Sequence, residues 1–263
     1  MKKKLGFALG AGGSRGCAHI GFLKAMEEAG IKPDFICGSS MGSVVGSCYA
    51  SGLSPDYMAG VVTGIKRRDI MDVSLNPFFN GALLRSEKIY EKLKEYLGDN
   101  TFETLKIPFS CVATDIVKGN TIVLGKKEDN LIESVVASSS IPTIFKPVQK
   151  GEMSLVDGCL LCRVPVEQVY DMGADVVVAV DVLANIRTSE KKKGLMDTMF
   201  RVFDICDSEM TKLKGFKQKA DVYIEPDLGE MVQYKFDGIK EAIESGYNAG
   251  KKHAQQIKCL IGD

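Results

Sequence analysis

The chain has 263 residues, 45% of them apolar, and its 34 basic residues are balanced by 34 acidic ones. That length and apolar share are enough for one large core or two small ones. A formal net charge of zero gives no global reason to expect nucleic acid as a partner.

In chain order, residues 5–9 predict a short buried strand, followed by a glycine-rich loop, GAGGSRG, at 10–16. Residues 17–29 have helical spacing, with Ile20, Leu23 and Met26 on one face and Gly30 as the stop. A strand at 34–37 leads to a helix at 40–51 that ends at Gly52. Ser54-Pro55-Asp56 opens another helix with proline in its first turn, and 86–97 reads as a polar amphipathic one. Residues 109–114 and 121–124 bracket Lys118-Gly119-Asn120, a hairpin signal. A helix at 131–138, a short strand at 154–156 running into Asp157-Gly158, and a helix at 164–172 follow. VVVAVDV at 176–182 is apolar in the manner of a strand buried in a parallel sheet. The last third predicts a helix at 195–214, a strand at 222–225 and a helix from about 238 to 258, with a polar surface loop at 184–194. Strands and helices alternate without internal repeat, which favours a single α/β domain over 1–263.

MKKKLGFALGAGG sets lysines before an apolar stretch, as a secretory leader does. That stretch is short, broken by glycine and soon followed by Arg15, so secretion is not expected. No run reaches 18 apolar residues, and no membrane-spanning helix is expected. The eight cysteines, at 17, 37, 48, 111, 159, 162, 206 and 259, are dispersed, and several lie in apolar runs. Free thiols in a reducing, cytoplasmic compartment fit this better than disulfides. Cys159 and Cys162 have redox or metal spacing, but no second pair completes a zinc site, and two packed thiols are expected.

GSSMG at 38–42 places Ser40 between a strand and a helix, one residue from each of two glycines. Gly38 and Gly42 allow a tight turn there, and the hydroxyl projects from the bend at the partially positive end of the helix. The alternative is a helix start with a capping serine. The loop at 10–16 also joins strand to helix. It lacks the third glycine of a dinucleotide fingerprint and the Gly-Lys of a phosphate loop. A third reading makes it an oxyanion hole, with the amides of Gly12 and Gly13 facing a developing negative charge and Arg15 adding charge or holding the loop. Neither His19 nor His253 suits a base, and both read as structural or surface residues. The base is then a carboxylate: Asp157, ending a strand before Gly158, with Asp181 as competitor.

GAGGSRGCAHIGFLKAMEEAGI, GSSMGSVVGSCYASG, ASSSIPTIFKPV and DGCLLCRVPV, in that order, resemble the bacterial patatin-like phospholipases. The resemblance spans 10–166, extended by VVVAVDV to about 182, which makes 5–182 the motif-bearing core. It implies a three-layer α/β/α sandwich with a mainly parallel central sheet. It also implies acyl-ester hydrolysis of phospholipids, lysophospholipids or simple esters by a Ser–Asp dyad, with no cofactor or metal. By position Ser40 matches the nucleophile, Asp157 the base, Gly12 and Gly13 the oxyanion loop, and Arg15 the basic residue of that loop. Gly38, Gly42 and Gly158 support the turns. Two departures stand out: Ala11 replaces a frequent glycine, and Cys159 stands where Gly or Ala is usual.

Met196, Met199, Phe203, Cys206, Met210 and Leu213 form an apolar helix stripe, broadened by Phe200 and Val202. Core packing or an oligomer seam is the plain reading. The functional one is a lid or acyl-binding surface, with Lys191–Lys193 upstream to meet headgroups during transient membrane contact. Without that role, Lys191–Lys193 and Lys2–Lys4 read as solvated basic runs. Residues 72–85, with Phe78 and Phe79, are a second candidate for acyl contact. The competing functions are a soluble short-chain carboxylesterase or thioesterase and a non-catalytic acyl-binding regulator.

Overall fold

The computed structural model describes residues 2–64, 72–73, 84–184, 194–233 and 237–263. Its strands are β1 (Leu5–Leu9), β2 (Phe35–Ser39), β3 (Asp72–Val73), β4 (Leu84–Arg85), β5 (Phe109–Asp115), β6 (Asn120–Leu124), β7 (Val148–Lys150), β8 (Met153–Asp157), β9 (Val176–Val180) and β10 (Val222–Ile224). Its helices are α1 (Ala18–Glu28), α2 (Met41–Ser51), α3 (Pro55–Gly64), α4 (Glu87–Leu97), α5 (Leu131–Ser138), α6 (Val166–Asp171), α7 (Leu195–Lys214), α8 (Phe216–Lys219) and α9 (Ile239–Ile261). Phe78, Phe79, Lys191–Lys193 and nearly all of the predicted loop at 184–194 lie outside the described residues, so their expected roles are not placed.

Among the described residues, eight strands form one sheet in the order β10-β9-β1-β2-β5-β8-β7, with β6 also on β5, while β3 and β4 pair only with each other. The run from β10 to β5 is parallel, β6 and β8 pair antiparallel with β5, and β7 pairs antiparallel with β8. Alternation along β1 and β9 builds both sides of the core. Phe7, Val178 and Val180 face the cluster that contains α1, α2, α5 and α9. Ala8, Val177 and Ala179 face the cluster that contains α6 and Phe216 of α8. Helices thus cover both faces of a mostly parallel sheet, the three-layer α/β/α arrangement expected. Among the described residues no helix is long and apolar enough to cross a membrane.

Local chemistry sets several boundaries. Asn130 caps α5 by accepting the amide of Glu133, and Gly52 closes α2 at a φ of 102°. Strand β7 and helix α8, three and four residues long, had no sequence signal.

The sheet also positions the site. β6 occupies one edge of β5 along 111–115. On the other edge β2 pairs with 109–112 and β8 with 113–115. The two strands run towards each other, so Ser39 lies opposite Val112 and Asp157 opposite Ala113. Two chain segments far apart in sequence therefore end at one point.

Candidate active site

Ser40 sits where β2 gives way to α2, at φ 52° and ψ −123°. A non-glycine residue with such a φ is strained and must be held by its surroundings. Space there is too small for side chains. A Cβ on Gly42 would lie 2.1 Å from the Leu9 carbonyl oxygen, and one on Gly38 would lie 2.4 Å from Ser43 Cα. Ser40 does not cap α2 with its side chain. Its hydroxyl instead donates to Asp157 Oδ2 at 2.6 Å, which decides against the capping serine.

Asp157 is fully buried at the end of β8. Its second oxygen, Oδ1, accepts the Cys159 amide at 2.9 Å. Burial pushes its pKa up to about 6, against the opposing hydrogen bonds from Ser40 and Cys159. Gly158 lets β8 end in contact with β5, since a Cβ there would meet the Val112 carbonyl oxygen at 2.4 Å.

The loop after β1 forms the adjoining wall. The amides of Gly12 and Gly13 have no acceptor among the described residues. Ala11 differs: its amide donates to the Arg163 carbonyl, so it is unavailable to a ligand. Arg15 is buried and points away from solvent, donating through Nε to the Val182 carbonyl and through Nη1 to that of Met231. Those two bonds tie the loop to the segment after β9 and to the one before α9. His19 lies beneath the loop, fully buried, with Nε2 2.7 Å from the Gly10 carbonyl oxygen. Burial pulls its pKa down to about 4, so the ring is neutral and Nε2 carries the donated proton. His253 bonds its own helix at Ala249. Neither imidazole contacts Ser40.

Ser40, Asp157, Gly12 and Gly13 line one pocket. Ile141, Pro142, Leu160, Leu183 and Phe203 give it apolar walls, and Asp204, Cys206 and Asp207 of α7 close one side together with Gln233. α7 thus borders the pocket, with Phe203 and Cys206 of the predicted stripe lining it, but not every stripe position faces inward. Leu213 is 82% exposed and Cys206 is exposed, whereas Asp207 and Thr211 are buried. The cause is Arg163, whose guanidinium draws Asp207 inward at 2.8 Å. The side chains of Met196 and Phe200 lie outside the described residues. Asp181, the competing base, accepts from Arg163 at 2.7 Å and from Tyr223, and makes no contact with Ser40.

Two contacts beside Ser40 and Asp157 had no sequence reading. Ser138 Oγ accepts the Ser40 amide at 3.1 Å, and the Ser140 carbonyl accepts the Asp157 amide at 2.9 Å. Arg163 was visible only as part of DGCLLCRVPV. All eight cysteines are free, with Cys159 half-buried and Cys162 buried 3.4 Å from Gln168 Oε1. Among the described residues no group of three or more His, Cys, Asp or Glu is arranged to hold a metal ion.

A mostly parallel α/β/α sheet with a serine at a strand–helix elbow, facing a buried carboxylate, defines the class of protein. A family model described as patatin-like phospholipase matches residues 7–170, and the chain belongs to that family. An uncharacterized NTE family protein of Mycobacterium tuberculosis is 34% identical over 178 residues, covering 67% of this chain and 48% of that one. Lysophospholipase nte1 of Emericella nidulans is 23% identical over 284 residues, covering 97% of this chain and 18% of that one. The chain thus spans about half the length, or less, of the curated relatives it matches. The crystal structure of VipD from Legionella pneumophila superposes with a TM-score of 0.61 at 12% identity, covering 97% of this chain and 67% of that one. At that identity it speaks for the fold alone.

Proposed function

We propose that this chain is a serine acyl hydrolase cleaving carboxylic esters of phospholipids, lysophospholipids or related lipids. The observation that carries this reading is the 2.6 Å contact from Ser40 Oγ to Asp157 Oδ2 in a pocket also lined by Gly12 and Gly13, whose amides have no acceptor among the described residues. Asp157 takes the hydroxyl proton as Oγ attacks the ester carbonyl. The amides of Gly12 and Gly13 receive the oxyanion, aided by the N-terminal dipole of α2. Collapse expels the alkoxide, which leaves with the proton from Asp157. Water then cleaves the acyl-enzyme by the same route. A carboxyl titrating at about 6 is a stronger base than an ordinary aspartate. The name of the Emericella nidulans relative and that of the family support lipid esters.

Two observations favour a lipid over a short soluble ester. The pocket walls are largely apolar. The outer face of α7 exposes Val202 at 53%, Ile205 at 47% and Leu213 at 82%, a surface suited to transient contact with a lipid interface. The eight free cysteines support a cytoplasmic location. The packing of Gly246 of α9 against Ala18 of α1 supports a single domain across both parts of the chain.

A fluorophosphonate probe tests the reading. It should label the wild type and leave Ser40→Ala unlabelled, and long-chain lipid esters should be hydrolysed faster than short soluble ones. An unlabelled wild type that hydrolyses no ester would leave an acyl-binding module. Faster turnover of short soluble esters would favour the esterase.

A further inference from the structure

We propose that Ser138 is a positioning residue for the nucleophile, holding Ser40 in the backbone conformation that directs its hydroxyl at Asp157. The inference rests on the serine-hydrolase reading of those two side chains.

Ser40 occupies a region of φ and ψ that persists only where neighbours impose it. Its carbonyl is well held, accepting the amides of Ser43 and Val44 and the Ser43 hydroxyl. Its amide is a different matter. The ladder between β2 and β5 ends at Ser39, so no strand partner reaches the next residue. The acceptor is Ser138 Oγ, on a side chain with no exposure to water. Without that oxygen the buried amide has no partner, and the peptide between Ser39 and Ser40 is free to turn. Rotation there swings Ser40 Cβ, and with it Oγ, away from Asp157.

Position within the serine run singles Ser138 out. The Ser139 and Ser140 hydroxyls both return to carbonyls of their own helix, at Val135 and Val136. Of the three, the Ser138 hydroxyl is the one that reaches the nucleophile. Two residues on, the Ser140 carbonyl accepts the Asp157 amide. The end of α5 therefore grips the strand end carrying the nucleophile and the strand end carrying the base, and fixes one relative to the other.

The experiment compares Ser138→Ala with Ser139→Ala, which loses a hydroxyl bond from the same helix end without touching Ser40. Fluorophosphonate labelling rates, kcat, KM and thermal midpoints are read for both. Ser138→Ala should label about tenfold or more slowly, with kcat reduced by a similar factor and KM within about twofold. Ser139→Ala should label within about twofold of the wild type. The proposal falls if folded Ser138→Ala labels as fast as the wild type. It also falls if Ser139→Ala is slowed equally, since the effect is then general loosening of α5. Should Ser138→Ala not fold, Ser138→Cys, a larger and much weaker acceptor, is read by the same criteria. A wild type that the probe does not label at Ser40 removes the hydrolase reading itself, a separate outcome.

Discussion

Arg163 and Asp207 are joined by a 2.8 Å ion pair that fastens α7 beside the pocket. The same guanidinium holds Asp181, beyond the end of β9, at 2.7 Å, and Asp181 in turn accepts the Leu183 amide. One buried cation thus ties the wall containing Leu183 to the wall made by α7. Its two carboxylates keep Arg163 charged, while burial pushes the Asp207 carboxyl above the usual range.

Arg163→Met leaves both carboxylates buried without their cation. Breaking a buried pair in this way costs about 3–5 kcal/mol. Chemical denaturation should register that loss, and limited proteolysis should cut within 195–214 sooner than in the wild type. A variant of undiminished stability would show that the pair does not secure α7.

The acid limb of kcat/KM should report Asp157. The carboxyl must be ionised to accept the Ser40 proton, so activity should decline below a pH of about 6, roughly tenfold per unit further down. His19, neutral above about 4, contributes no limb in that range. A soluble ester assayed across pH 4–9 in the wild type and in Asp207→Asn, which removes the other raised carboxyl of the pocket, at about 7, isolates the Asp157 limb. A profile with no inflection near 6 would contradict a raised Asp157 as the base.

Asp157→Asn should separate activity from stability. Unfolded, the carboxyl titrates near 3.8; folded, near 6. The folded chain binds the proton more tightly, so the favourable contribution is complete below pH 3.8 and is lost as pH rises through about 6. At pH 8 the ionised group opposes folding by about 3 kcal/mol, the shift of roughly two units converted at 1.36 kcal/mol each. The amide that replaces the carboxyl carries no charge, so the variant should melt higher at pH 8 and lose the difference towards pH 4. Its turnover should drop by about 10²–10⁴. A lower melting point at pH 8 would contradict this account.

Gly42→Ala should be severe and Gly60→Ala mild. The first places a Cβ 2.1 Å from the Leu9 carbonyl oxygen, a backbone atom that cannot step aside, and should lose about 3 kcal/mol or more. The second meets nothing within 4 Å on α3 and should gain about 0.5–1 kcal/mol. Denaturation midpoints of the pair check both signs.

Much of the fold could be read from the sequence because its signals are local. Apolar runs mark β1 and β9, glycines stop α1 and α2, and Lys118-Gly119-Asn120 joins β5 to β6. That Ser40 and Asp157 should meet was anticipated from a serine elbow, a strand-end Asp-Gly and the order of four motifs, with catalysis by them a proposal. What stayed hidden is non-local. Arg163 meets Asp181 and Asp207 across 18 and 44 residues, and no spacing announces such a triad. Because that network was invisible, periodicity alone put Leu213 on one stripe with Phe203, whereas the structure buries Asp207 and Thr211 and leaves Leu213 exposed. Ser138 was hidden among three serines whose hydroxyls differ only in where they point.

The head-on meeting of β2 and β8 along β5 makes pairing register the ruler of the site. Ser40 and Asp157 are 117 positions apart, yet their spacing is measured in rungs of one strand. Loops between them can lengthen or shorten without moving either group. A single-residue slip of β8 would instead turn Asp157 to the opposite side of the sheet and leave the serine without its acceptor.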